Sequence, residues 1–268
     1  MNKSYPTYTQ SLVLLLIWLL CTVVSILLVI PFISMESGMG LFLMYTISMV
    51  LTVTAGFFLR GYWQLETNSF PIPIIIISIF SILSWQVVLE PLRNIMPLSE
   101  SVLKVFKSML SRPIIFFAMV VVAAPILEEI LFRGIILDGY LKRYKPWHGI
   151  LISAFLFALI HGNLAQGVGA FMLGILFGWI YWKTNSIIPC IILHFINNLI
   201  AFIGGITEAE EDFNKSLRES MNNDTAFGVL YMVSIIIAIG SVWLLHKKYL
   251  SKMSIKRAEP KEELTIEI

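Results

Sequence analysis

The chain has 268 residues, of which 57% are hydrophobic and only 13% charged, and it carries a formal charge of +2 with a mean hydropathy of +0.83. A soluble domain carries about twice that charged fraction, so the composition points to a protein built within a membrane, its function in the spans and short loops. The near-neutral balance offers no basic surface for nucleic acid, and Cys21 and Cys190 both lie in apolar segments, as small buried hydrophobes rather than a disulfide framework or a metal site.

The first apolar run, residues 12–33, is too long for a signal-peptide core and reads as a retained span. Further apolar runs follow at 41–59, 70–89, 114–137, 149–161, 168–182, 187–203 and 226–245. The expected fold is all-α: a polytopic membrane bundle of about eight transmembrane helices, forming one integral membrane domain over 1–268 with a mobile cytoplasmic tail at 246–268. Before the fourth run, Leu98, Val102, Val105, Phe106 and Met109 recur around Glu100, Lys104 and Lys107, the pattern of an interfacial amphipathic helix. The fifth run is short, so His161 and Gly162 are expected where a helix ends inside the protein. On the sixth, Ala170, Gly174 and Gly178 form a stripe of small residues suited to close helix packing.

An even number of spans puts both termini on one side, together with Lys142, Arg143, Lys145, Lys183 and the basic tail, and the positive-inside tendency makes that side cytoplasmic. The acidic stretch 208–212 then falls outside, and so do Lys104 and Lys107, a conflict that an interfacial helix eases. Trp63, Trp147, Trp179, Trp182 and Trp243 lie near span ends, as an aromatic belt requires. A compact chain without targeting signals suggests a prokaryotic plasma membrane.

The fourth run carries Glu128, Glu129 and Arg133 within six positions, although a charge at the centre of a spanning helix costs roughly 2.5–3.5 kcal/mol. Such charges must turn toward a protein interior or a watery cavity. Glu129 and Arg133 are four apart and can pair along one face. Glu128 points about 100° away and has no sequence-local cation. Burial disfavours its charged form, which suits a carboxylate acting first as general base and then as general acid. Pro125 removes a helix hydrogen bond and should bend the span just before the site. The plainer alternative is a structural ion-pair cluster.

Two histidines add to this picture. Phe157 and His161 share one helical face, as do His194 and Asn198. Taken singly each histidine reads as a packed core residue; taken with the glutamates they read as a site. Measured from the cytoplasmic span ends, Glu128, His194 and His161 come out at depths of about 14, 12 and 18 Å, compatible with one layer.

A free carboxylate, two imidazoles and a carboxamide suit amide hydrolysis. Glu128 with His161 would orient and deprotonate water, while His194 with Asn198 would stabilise the oxyanion. No Gly-x-Ser-x-Gly elbow or Ser–Lys pair marks the spans, and Asp138 has no second aspartate for aspartyl chemistry. Zinc held by Glu128, His161 and His194 is the rival arrangement, although the His-Glu-x-x-His motif is missing.

Glu128-Glu129-x-x-x-Arg133-Gly134, Phe157-x-x-x-His161 and His194-x-x-x-Asn198, in this order on apolar helices, resemble the CAAX-protease and bacteriocin-processing (Abi, CPBP) family, which includes the type II CAAX prenyl endopeptidases. The resemblance covers about 113–203, the expected catalytic core. It implies an eight-helix intramembrane protease of glutamate type, working without a metal. Glu128 would be catalytic and His161 its assistant; His194 and Asn198 would form the oxyanion site, supported by Glu129, Arg133 and Phe157. Implied partners are membrane lipids and a peptide or lipidated-protein substrate, in CAAX-type processing or in bacteriocin or pheromone maturation or immunity; nothing sets an oligomeric state. From another class, a non-enzymatic binding or immunity protein, or a proton-coupled transporter, would also bury such charges.

Overall fold

A computed structural model describes residues 5–34, 38–96, 99–207 and 216–253. The helices are α1 (Tyr8–Val29), α2 (Gly38–Arg60), α3 (Pro73–Val88), α4 (Glu90–Ile95), α5 (Glu100–Leu110), α6 (Pro113–Arg143), α7 (Pro146–Leu159), α8 (Leu164–Thr184), α9 (Ile188–Thr207), α10 (Leu217–Met221) and α11 (Asp224–Leu250). Among the described residues, 7 helices are long and apolar enough to cross a membrane: α1, α2, α3 continued to Leu92, α6, α8, α9 and α11. The eighth expected span is the shorter apolar helix α7, whose 14 residues rise only about 21 Å against a hydrocarbon core of roughly 30 Å. The protein is therefore an all-α, polytopic integral membrane bundle.

Helix ends follow local chemistry. Thr7 and Gln10 form a reciprocal capping box at the start of α1, with bonds of 2.8 and 3.2 Å. Proline opens α3, α6 and α7, where the missing N–H has no helical partner to lose. Asn163 caps α8 by accepting from the Gln166 amide at 2.9 Å, and Asn185 ends it in the left-handed region at φ 47°.

The centre of the bundle is α6, in which every residue from 131 to 141 is buried. Parallel to it runs α2: Tyr45 meets Glu128, Gly56 faces Ile135, and Arg60 reaches Asp138, both chains advancing in the same direction. A Cβ on Gly56 would lie 2.9 Å from Ile135 Cδ1, and one on Gly174 would lie 2.8 Å from Ala154 Cβ. The small-residue stripe of α8 thus serves close packing on α7. Hydroxyl pairs join α1 to α2 through Thr22 and Ser48 at 2.8 Å, and α3 to α11 through Ser81 and Ser241 at 2.7 Å. Leu16, Leu20, Leu27, Ile236 and Ile239 stand outward and exposed, as lipid-facing residues do.

The amphipathic segment is α5: Met109 is buried and Phe106 packs on Phe116, while Glu100, Lys104 and Lys107 are exposed. Leu98 and the acidic stretch 208–212 lie outside the described residues. So do residues 254–268 of the expected tail, whereas α11 continues helically to Leu250, with Leu245 and Leu250 buried. Trp147 contacts both Trp179 and Trp182, with ring centroids 6.3 and 6.1 Å away, and Lys183 lies over Trp182.

Candidate active site

The site begins with the break in α6. Two stretches of wide, π-type turns, Phe117–Ala123 and Ile130–Leu137, flank the α-helical turn Ala124–Glu129 that carries the glutamates. Before Pro125 the Ala124 amide donates to Met119, five residues back. In that register the Val120 carbonyl should receive the next amide, which is Pro125 and has no N–H. Asn198 of α9 fills the vacancy, its Nδ2 donating to Val120 O at 2.8 Å. Behind it, Asn197 Nδ2 donates to Asn198 Oδ1 at 3.0 Å, and Gln86 Nε2 of α3 donates to Asn197 Oδ1 at 3.0 Å. A chain of carboxamides thus ties α3 and α9 to the proline break.

One turn further on, Arg133 donates to Glu129 Oε1 at 2.7 Å, with both side chains almost fully buried at 1% and 0% exposure. The guanidinium also lies over the rings of Phe157 and Phe177, at 4.7 and 5.4 Å from their centroids. His194 Nδ1 meets the same Glu129 oxygen at 2.9 Å. A carboxylate accepts there, so Nδ1 is the donor and Nε2 is the nitrogen presented to Glu128, 3.8 Å from its Oε2. The other oxygen of Glu128 accepts from the Tyr45 hydroxyl at 2.8 Å. Glu129 Oε2 and Arg133 Nε are buried with no hydrogen-bond partner among the described residues.

Glu128, Glu129, Arg133 and His194 are therefore brought into one contact network, with Phe157 as its hub. The Phe157 ring meets His194 edge-on at 5.7 Å and His161 at 5.1 Å. His161 sits on the turn between α7 and α8, just before Gly162 at φ +67°, and its Nδ1 donates to the Phe157 carbonyl at 2.8 Å. It makes no hydrogen bond or ion pair with Glu128 among the described residues. Among those residues no three His, Cys, Asp or Glu side chains are placed to hold a metal ion. Glu128, His161 and His194 thus do not fit the three-ligand zinc site.

Two residues of this network had no signal in the sequence. Tyr45 stands in an apolar span with no charged neighbour at helical spacing, and Gln86, although Glu90 follows it by four, has no polar pattern pointing across the bundle; both look like ordinary packing residues.

A second buried cluster lies one level along α6. Asp138 Oδ2 accepts from Lys142 at 2.6 Å and from Tyr62 at 3.1 Å, and stands 3.9 Å from Arg60 Nη1. Its Oδ1 accepts from Tyr181 at 3.3 Å. The Arg60 guanidinium donates to the carbonyls of Tyr62, Gln64 and Gly134.

Residues 110–200 match the family described as "Type II CAAX prenyl endopeptidase Rce1-like". The Bacillus subtilis (strain 168) protein named "Putative membrane peptidase YdiL" is 30% identical over 82 residues, 31% of this chain and 34% of that protein. The similarity thus spans about a third of either chain. No solved structure gives a significant match. The matched segment contains Glu128, Glu129, Arg133, Phe157, His161, His194 and Asn198, so over residues 110–200 the chain is similar to the Rce1-like family of type II CAAX prenyl endopeptidases.

Proposed function

We propose that the protein is an intramembrane endopeptidase that hydrolyses a peptide bond in a membrane-associated peptide or protein, with Glu128 as its base. One observation carries this reading. Glu128 presents a carboxylate oxygen to His194 Nε2 across a 3.8 Å gap, too long for a hydrogen bond and open to bridging by a water or a substrate oxygen. The gap is rigid on one side, because His194 is held by Glu129, and Glu129 by Arg133. Glu128 Oε2 takes a proton from the attacking water as the new C–O bond forms. It returns that proton to the amide nitrogen as the C–N bond breaks. With both ring nitrogens protonated, His194 keeps Nδ1–H on Glu129 and turns Nε2–H toward the oxygen that gains negative charge. His161 assists from the turn after α7, and Asn198 uses one N–H on Val120 while its second remains for the oxyanion.

The substrate class that fits is a CAAX-type protein tail or a bacteriocin or pheromone precursor, delivered within a prokaryotic plasma membrane. The gathering of Trp147, Trp179 and Trp182 with Lys183 supports a cytoplasmic face at that end of the bundle, and with it cytoplasmic termini.

The test is a comparison of membrane peptides from cells carrying the wild type, Glu128→Gln or His161→Ala. A precursor should accumulate, and its product should vanish, in Glu128→Gln. Full processing by both variants would sink the protease reading, and proton-coupled flux lost with Glu128 would replace it by transport.

A further inference from the structure

The one hydrogen bond that Glu128 receives among the described residues comes from α2, outside the segment that matches the family. Tyr45 donates to Oε1 at 2.8 Å, and its ring packs on the core that contains Leu131, Phe132 and Phe157. We propose that Tyr45 is the positioning residue of the candidate base, fixing one oxygen of Glu128 so that the other is aimed at the gap facing His194. The inference rests on Glu128 being the working carboxylate.

Three features support it. First, the nearby cation is already committed: Arg133 pairs with Glu129 at 2.7 Å, so Glu128 depends on a neutral donor to order it. A phenol is suited to this, because it donates to a carboxylate without competing as a base near neutral pH. Secondly, the two oxygens are divided, Oε1 to Tyr45 and Oε2 toward His194, and a carboxylate anchored at one oxygen has its plane and remaining lone pairs set. Thirdly, Tyr45 is placed by the fold rather than by its own rotation. Parallel to α6, α2 is fixed in register by the close approach of Gly56 to Ile135 and by Arg60 reaching Gly134 O and Asp138. The groups facing Glu128 are thus Tyr45 from α2 and His194 from α9, with Glu129 and Arg133 on its own helix.

The test uses the full-length protein in membranes and dicyclohexylcarbodiimide, an apolar reagent that adds to protonated carboxyl groups, with site-resolved mass spectrometry. Tyr45→Phe keeps the ring and removes the donor that favours ionised Glu128. Labelling of Glu128 at fixed pH should then rise roughly tenfold, while Glu129, paired with Arg133, stays unlabelled as the internal control. Product formation in cells should fall by about the same factor, at an unchanged unfolding temperature. Unchanged labelling and processing in Tyr45→Phe, with processing lost in Glu128→Gln, overturns the role of Tyr45 alone. A rise at both carboxylates reports general loosening and also counts against it. Full processing in Glu128→Gln overturns the protease reading and this inference together.

Discussion

Glu128 and Asp138 are ten residues apart on α6, about 15 Å along the helix, and each anchors a buried cluster of charge. Around Asp138 the polar atoms find partners: both carboxylate oxygens accept hydrogen bonds, and Arg60 donates to three carbonyls. Around Glu128 they do not. Glu129 Oε2 and Arg133 Nε lack partners among the described residues, and Glu128 and His194 face each other across 3.8 Å. Buried charge alone is therefore no mark of chemistry in this protein. The Asp138 cluster is a closed pin that fastens α2 to α6, whereas the Glu128 cluster keeps polar atoms without partners among the described residues, as the proposed water and substrate would require.

The sharpest way to break this comparison is to alter neighbouring carboxylates. Glu128→Gln is expected to lower processing by about a thousandfold, the scale of a lost general acid–base, with the unfolding temperature in detergent unchanged. Glu129→Ala strands Arg133 in the interior and should cost about 3–5 kcal/mol of stability; a variant as stable as the wild type in a denaturation titration would contradict the ion-pair role. Asp138→Asn keeps a carbonyl acceptor but removes the counter-charge of Arg60 and Lys142, for an expected loss of about 2–3 kcal/mol. Processing per folded molecule should persist, and its abolition would mean the two clusters are one site. The smallest effect is expected from Gln86→Leu, about 1 kcal/mol from one hydrogen bond. Because Gln86 donates directly to Asn197, that loss should disappear in an Asn197→Ala background.

Local periodicity made much of this legible in the chain. The Glu129–Arg133 pair is an i,i+4 contact, and the special character of Pro125 follows from a missing N–H. The end of α7 just before His161 follows from a short apolar run closed by glycine. Other parts were invisible for equally physical reasons. The partners of Glu128 and of Asn197 could not be read from spacing, since Tyr45 is 83 positions from Glu128 and Gln86 is 111 from Asn197. His161 shows the converse: depth counting put it in the same layer as Glu128, yet its ring nitrogen is tied to its own helix at Phe157 O. Depth fixes a layer, and only packing fixes the azimuth of a side chain within it.

Hydropathy and helical spacing, both properties of a few consecutive residues, were enough to determine an all-α membrane bundle, the motif order and the pairing of Glu129 with Arg133 that leaves Glu128 apart. Tertiary structure decided the rest: that Tyr45 and His194 share Glu128, that Asn198 answers the carbonyl Pro125 leaves bare, and that Asp138 is closed off by Arg60 and Lys142. Those contacts join helices far apart in sequence, and their geometry is set by how closely small residues such as Gly56 and Gly174 let the helices approach.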